Sequence, residues 1–141
     1  LHFSPKIAPS EDDEIASFIQ TLRKISEKSE GKVALIGSVD FAHMGPEFGD
    51  EDLNSEDVED VVREKDQEML SAVEAVDPER FFDTFRGDCN ERRVCSIAPI
   101  YLILAALRGK YVGKKLFYNQ ANNEERTCMV SFGSVVFTKK E

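Results

Sequence analysis

Val33-Ala34-Leu35-Ile36-Gly37 runs directly into Ser38-Val39-Asp40-Phe41-Ala42-His43-Met44-Gly45, and this stretch sets the expected fold. Its first five residues are a short apolar block bounded by turn signals and preceded by a helix-period segment. A block of that length in that place predicts a strand buried on both faces, as in a βαβ unit. From Ser38 to Asn54 periodicity is lost and Gly45, Pro46 and Gly49 appear, so a loop is expected beyond the carboxyl end of the strand.

Upstream, Ser10 is a plausible helix cap followed by the acidic run Glu11-Asp12-Asp13-Glu14, which suits the positive end of a helix dipole. Ile15, Phe18, Ile19, Leu22 and Ile25 then recur as one apolar stripe until Ser29-Glu30-Gly31 ends it. Downstream, Ser55 caps a second predicted helix with Val58, Val61, Val62, Met69, Val73 and Val76 on its inner side. Asp77-Pro78 starts a third, with aspartate as cap and proline in the first turn, and it presents Phe81, Phe82 and Phe85 as core. Pro99 to Leu107 is apolar on nearly every side but far short of the roughly 20 residues that span a bilayer, so it predicts a buried central helix. Lys114 to Gln120 and Cys128 to Phe137 read as strands joined by the polar turn Ala121 to Thr127, an antiparallel hairpin. The expected architecture is a three-layer α/β domain over residues 1–141, with helices on both faces of a mixed sheet and a C-terminal antiparallel hairpin. About four strands is few for such a sheet, and Leu1-His2-Phe3 reads as the tail of a strand, so the sequence is expected to be the C-terminal half of a longer chain.

The composition narrows the function classes. Apolar residues make up 41% and charged residues 32%, as in globular proteins. A net charge of -9, from 27 acidic and 18 basic residues, argues against nucleic acid as partner. The amino-terminal residues lack the basic and apolar blocks of a signal peptide, and no membrane partner is expected. Three cysteines, Cys89, Cys95 and Cys128, follow no framework spacing, which points to free thiols in a reducing, cytoplasmic compartment. An unpaired sheet edge would favour self-association.

Chemistry concentrates at three residues. Asp40 and His43 stand three apart just past the predicted strand, the edge where open α/β sheets bind ligands. A histidine can move protons near neutral pH and a carboxylate beside it can orient the ring. The same spacing also occurs in loops without any function. Cys95 opens the apolar helix, where a helix dipole favours the thiolate for nucleophilic attack or metal ligation; equally, a cysteine there can simply pack. Cys128, in a strand pattern, reads as core, Cys89 as exposed, and His2 is assigned no role.

The stretch Leu35-Ile36-Gly37-Ser38-Val39-Asp40-Phe41-Ala42-His43-Met44-Gly45-Pro46 resembles the "hydrophobic-Ser-x-Asp-hydrophobic-x-His-x-Gly" motif of Memo-like proteins, also called component B of the AmmeMemoRadiSam system. The similarity continues in order through the helix carrying Asp66, Ala75-Val76-Asp77 to Phe82, Cys95 and Pro99, and the strands containing Lys115-Leu116-Phe117-Tyr118 and Val130-Ser131-Phe132-Gly133-Ser134. It covers the later half of the family's fold, which is similar to that of class III extradiol dioxygenases using non-haem iron. The resemblance implies that His43 is the acid/base histidine, that Asp40 stands beside it, and that Cys95 is a metal ligand. In the family the remaining ligands are histidines of the earlier half. The implication is therefore iron or copper in a full-length parent, no cofactor held in isolation, and the missing N-terminal half as partner. The stretch Ser96-Ile97-Ala98 departs from relatives that carry glycine after the cysteine and a polar residue or histidine before the proline. Three functions compete on this basis: a share in a dioxygenase-like redox site, a non-catalytic ligand- or protein-binding module, and, least favoured, a metal-free Cys95/His43 nucleophilic pair.

Overall fold

The first long helix, α1 (Asp13–Lys28), begins where its cap can serve two amides at once. Asp12, with extended backbone, accepts from the N–H groups of Glu14 at 2.9 Å and Ile15 at 3.1 Å. The computed structural model describes residues 9–29, 31–51, 53 and 57–141. Within these, Ser10 lies in a short 3-10 turn, Pro9–Glu11, and the cap expected there belongs to Asp12. Of the α1 stripe, Ile19 is buried and Ile15 and Leu22 are partly so, while Phe18 and Ile25 stay exposed. Arg23 ties the helix to the centre of the fold by donating to the Ala105 carbonyl at 2.9 Å.

The second helix, α2 (Asp57–Ala75), buries Val62, Asp66, Met69, Leu70 and Val73, a spacing that puts them on one face. Val61, expected inside, is exposed; it sits one position, or about 100°, from Val62. The cap expected at Ser55 lies outside the described residues. In α3 (Pro78–Asp83) the expectation holds: Asp77 accepts from the Arg80 N–H at 3.1 Å, and Phe81, Phe82 and Phe85 are buried. The apolar segment becomes α4 (Ile97–Leu107), buried along most of its length. No described helix is long and apolar enough to cross a membrane.

The α/β class and the C-terminal hairpin are as expected. β2 (Tyr111–Asn122) pairs antiparallel with β3 (Met129–Lys139) from Tyr111↔Lys139 to Asn122↔Met129, with a bulge at Leu116. The two-residue β1 (His43–Met44) pairs antiparallel with β3 on its other edge, giving the order β1-β3-β2. The mixed sheet of the sequence reading is therefore corrected: among the described residues every pairing is antiparallel. Val33–Gly37 is not a strand. It runs without a turn, but Val33 is 46% and Ile36 86% exposed. A buried parallel strand needs hydrogen-bonding neighbours and cover on both faces; among the described residues it has no strand partner, and only Leu35 of the apolar block packs against the core. Pairing starts only at Phe41, whose N–H donates to the Ser131 carbonyl at 2.8 Å, with Ser131 N–H returning to the Ala42 carbonyl at 3.0 Å. Before that point the segment leaves β3, and a cleft of about 300 Å³ opens between them, floored by Leu70, Val73, Ile100 and Ile103.

Helix α2 covers the inner face of the hairpin: Lys115 N–H donates to Glu74 at 2.7 Å and Tyr118 hydroxyl to Asp66 at 3.0 Å. On the outer face Val112, Phe117 and Val136 are exposed. Among the described residues the second helical layer expected there is not found, and the helical cover they provide is on the inner face.

Candidate metal centre

Three segments are laced together where the extended segment meets β3. Ala42 N–H donates to the buried Ser131 hydroxyl at 2.9 Å, and Ser96, at the start of α4, donates its hydroxyl to the Asp40 carbonyl at 2.5 Å. His43 N–H donates to the Arg92 carbonyl at 2.8 Å. The backbone on either side of Asp40 and His43 is thus fixed from the sheet and from the chain entering α4. Beneath it lies a buried polar group that sequence reasoning missed. Asp66 is 0% exposed and pairs with Arg92, 4% exposed, at 2.5 Å; Tyr118 also donates to it. Burial pushes the Asp66 carboxyl above its ordinary value against the pull of Ser131, Arg92 and Tyr118, and the Tyr118 phenol is raised well above its own by burial and by Asp66. The available signal was a charged residue on the apolar face of α2, four positions after Val62.

The structure brings the three sequence-predicted residues together. His43 Nε2 is 3.2 Å from Asp40 Oδ2, and the Cys95 thiol approaches Asp40 Oδ1 at 3.6 Å. One donor atom from each of Asp40, His43 and Cys95 falls within 4.8 Å of the others. The imidazole is partly enclosed, with Phe48 edge-on at 5.2 Å, whereas Asp40 and Cys95 open to solvent.

His43 Nδ1 lies 3.0 Å from the Arg93 carbonyl oxygen, which can only accept. This contact is a hydrogen bond when Nδ1 carries hydrogen, in the neutral Nδ1–H ring or in the imidazolium that pairs with Asp40. In the neutral ring Nε2 is then a lone pair aimed at a carboxylate, with a sulfur close by. Three electron-rich atoms at that separation repel one another unless a proton or a cation lies among them. Pinning one ring nitrogen on a carbonyl is also how proteins orient histidines at metals. The nitrogen, oxygen and sulfur set suits a borderline transition metal such as iron, copper or zinc better than magnesium or calcium, and the three residues fit such an ion by donor chemistry.

Cys95 departs from expectation in one respect. It precedes α4 by two residues, yet its thiol is raised above its ordinary value, first by partial burial of the sulfur and then by the charge of Asp40. A full carboxylate charge beside the sulfur outweighs the fractional charge of a helix end. The raised thiol weighs against the metal-free nucleophilic pair, because attack requires the thiolate. Cys89 is exposed, Cys128 half-buried, and both are free thiols like Cys95. His2 lies outside the described residues.

Among known families, the model described as Memo-like protein matches residues 6–136. No curated protein matches the chain.

Proposed function

The chain belongs to the Memo-like protein family, and from that premise we propose that it contributes the Asp40, His43 and Cys95 pocket to a metal-dependent redox site of the kind found in non-haem iron dioxygenases. The observation that carries the proposal is the meeting of an imidazole, a carboxylate and a thiol within 4.8 Å. In this reading Cys95 is the metal ligand, for iron or copper held together with groups of a longer parent chain. The metal, when bound, supplies Lewis-acid and redox chemistry at the pocket. His43, with Nδ1 occupied, offers Nε2 as the atom that accepts and returns a proton. Asp40, at 3.2 Å, stabilises the imidazolium so formed. The raised Cys95 thiol gives up its proton on ligation, so metal affinity should climb with pH. Iron(II) or copper(I) titrated into the longer parent protein, wild type and Cys95→Ala, tests the reading. Loss of binding in the variant supports it, and equal metal content in both proteins sinks it.

A second reading, a non-catalytic ligand-binding module, is favoured by the cleft between Leu35–Phe41 and Gly133–Phe137, whose floor of Leu70, Val73, Ile100 and Ile103 is apolar. In that case an apolar fluorescent probe binds equally to wild type and Cys95→Ala, and Ile103→Asp removes the binding. Failure of the probe to bind wild type would count against this second reading.

A further inference from the structure

Arg93 stands in an unusual position relative to His43. Its carbonyl is the acceptor facing His43 Nδ1, and the residue has φ +52°, in the left-handed region that non-glycine residues seldom adopt. Cys89 at +50° and Asn90 at +62° share that region, so three strained residues fall within a five-residue loop. Strain of this kind persists only where the surroundings over-determine it. Two devices do so. The Asn90 side chain accepts from Val94 N–H at 2.9 Å and donates to the Val94 carbonyl at 3.1 Å, spanning the loop. The Arg93 guanidinium makes a two-pronged contact with Asp50, 2.7 Å from Oδ1 and 3.0 Å from Oδ2. Asp50 is itself anchored, accepting from Gly45 N–H at 2.7 Å. Gly45 follows His43 by two residues and has φ +114°, and a Cβ there would lie 2.4 Å from the Thr127 carbonyl oxygen. One carboxylate therefore joins the segment that carries His43 to the residue that orients its ring.

We propose that Arg93 is a positioning residue of this site: its fork with Asp50 holds its carbonyl on His43 Nδ1 and so aims Nε2 at Asp40 and Cys95. The inference rests on reading Asp40, His43 and Cys95 as the functional pocket. A structural ion pair alone would stabilise the loop without selecting a tautomer. Positioning makes a sharper demand, because an imidazole released from the carbonyl can place its hydrogen on either nitrogen.

The experiment is nitrogen-15 NMR of the neutral His43 ring in metal-free protein, resolved from His2 by a His2→Gln background. Wild type should show the hydrogen on Nδ1. Asp50→Asn keeps an acceptor for Gly45 N–H but loses the charged fork, and should move the population towards Nε2–H. Arg93→Ala should do the same, and Arg93→Lys, retaining charge but not the fork, should fall between. A His43 tautomer identical in wild type and in folded Asp50→Asn and Arg93→Ala overturns the proposal, as does a wild-type ring with its hydrogen on Nε2. Cobalt(II) added to the longer parent protein, wild type and Cys95→Ala, separates the two ideas. Wild type lacking any sulfur-to-cobalt absorption that Cys95→Ala abolishes defeats the metal reading, while the metal-free tautomers continue to judge Arg93.

Discussion

Replacing Asp66 by alanine should be among the most damaging single changes available to this protein. Asp66 is fully buried, and its carboxylate faces Arg92, itself nearly fully buried. Its remaining neighbours are weaker partners: Nε is 3.8 Å from Asp88, the guanidinium carbon is 5.6 Å from the Phe85 ring centroid, and Nε and Nη2 have no hydrogen-bond partner. Removing Asp66 therefore strands a cation inside the core, and losing one member of a buried pair costs about 3–5 kcal/mol. Tyr118 is half-exposed and can turn its hydroxyl to water, so it adds little. Against a global stability of roughly 5–15 kcal/mol, the loss is a large fraction. Equilibrium urea unfolding followed by circular dichroism should show the midpoint falling with the slope preserved. The double replacement Asp66→Leu with Arg92→Met separates the stranded charge from lost packing, because it removes both ions and keeps volume. It should return to within about 1 kcal/mol of wild type. An Asp66→Ala loss below about 1 kcal/mol, or a double variant no better than the single, would refute the argument.

Three more outcomes follow from the site and its supports. Asp50 is held below its ordinary carboxylate value, first by the hydrogen bond from Arg93. Its contribution to stability should be complete above about pH 3.9, the unperturbed aspartate value, and disappear as pH falls through the lowered folded value; the melting difference between wild type and Asp50→Asn should trace that window. Gly45→Ala combines a forbidding φ of +114° with a Cβ 2.4 Å from the Thr127 oxygen. It should cost about 1–3 kcal/mol and lower the melting temperature by about 2–4 °C for each of those, whereas an unchanged melting temperature would mean that the turn relaxes freely. Cys95 should alkylate more slowly than exposed Cys89 near neutral pH, and Asp40→Asn should speed it by roughly several-fold through a larger thiolate fraction. Peptide-resolved mass spectrometry reads both cysteines, and an Asp40→Asn rate equal to wild type would remove Asp40 as the cause.

Local rules were sufficient wherever the physics was local. The Asp77-Pro78 start, the phenylalanines of α3, the buried α4 and the β2–β3 hairpin follow from capping, proline geometry and hydrophobic period, each satisfied within a few residues. Shifts such as Asp12 replacing Ser10 as cap are differences of two residues, decided by which side chain reaches two amides. The residues Asp40, His43 and Cys95 were also legible, because their types and motif context mark them out. Tertiary structure alone decided the rest. Val33–Gly37 has the composition of a buried strand, but a strand is completed by hydrogen bonds from neighbours distant in sequence, and pairing here begins only at Phe41. Likewise the Asp66–Arg92 pair and the Asp50–Arg93 fork join residues 26 and 43 positions apart. Charges attract according to separation in space, and no periodicity along the chain records that distance.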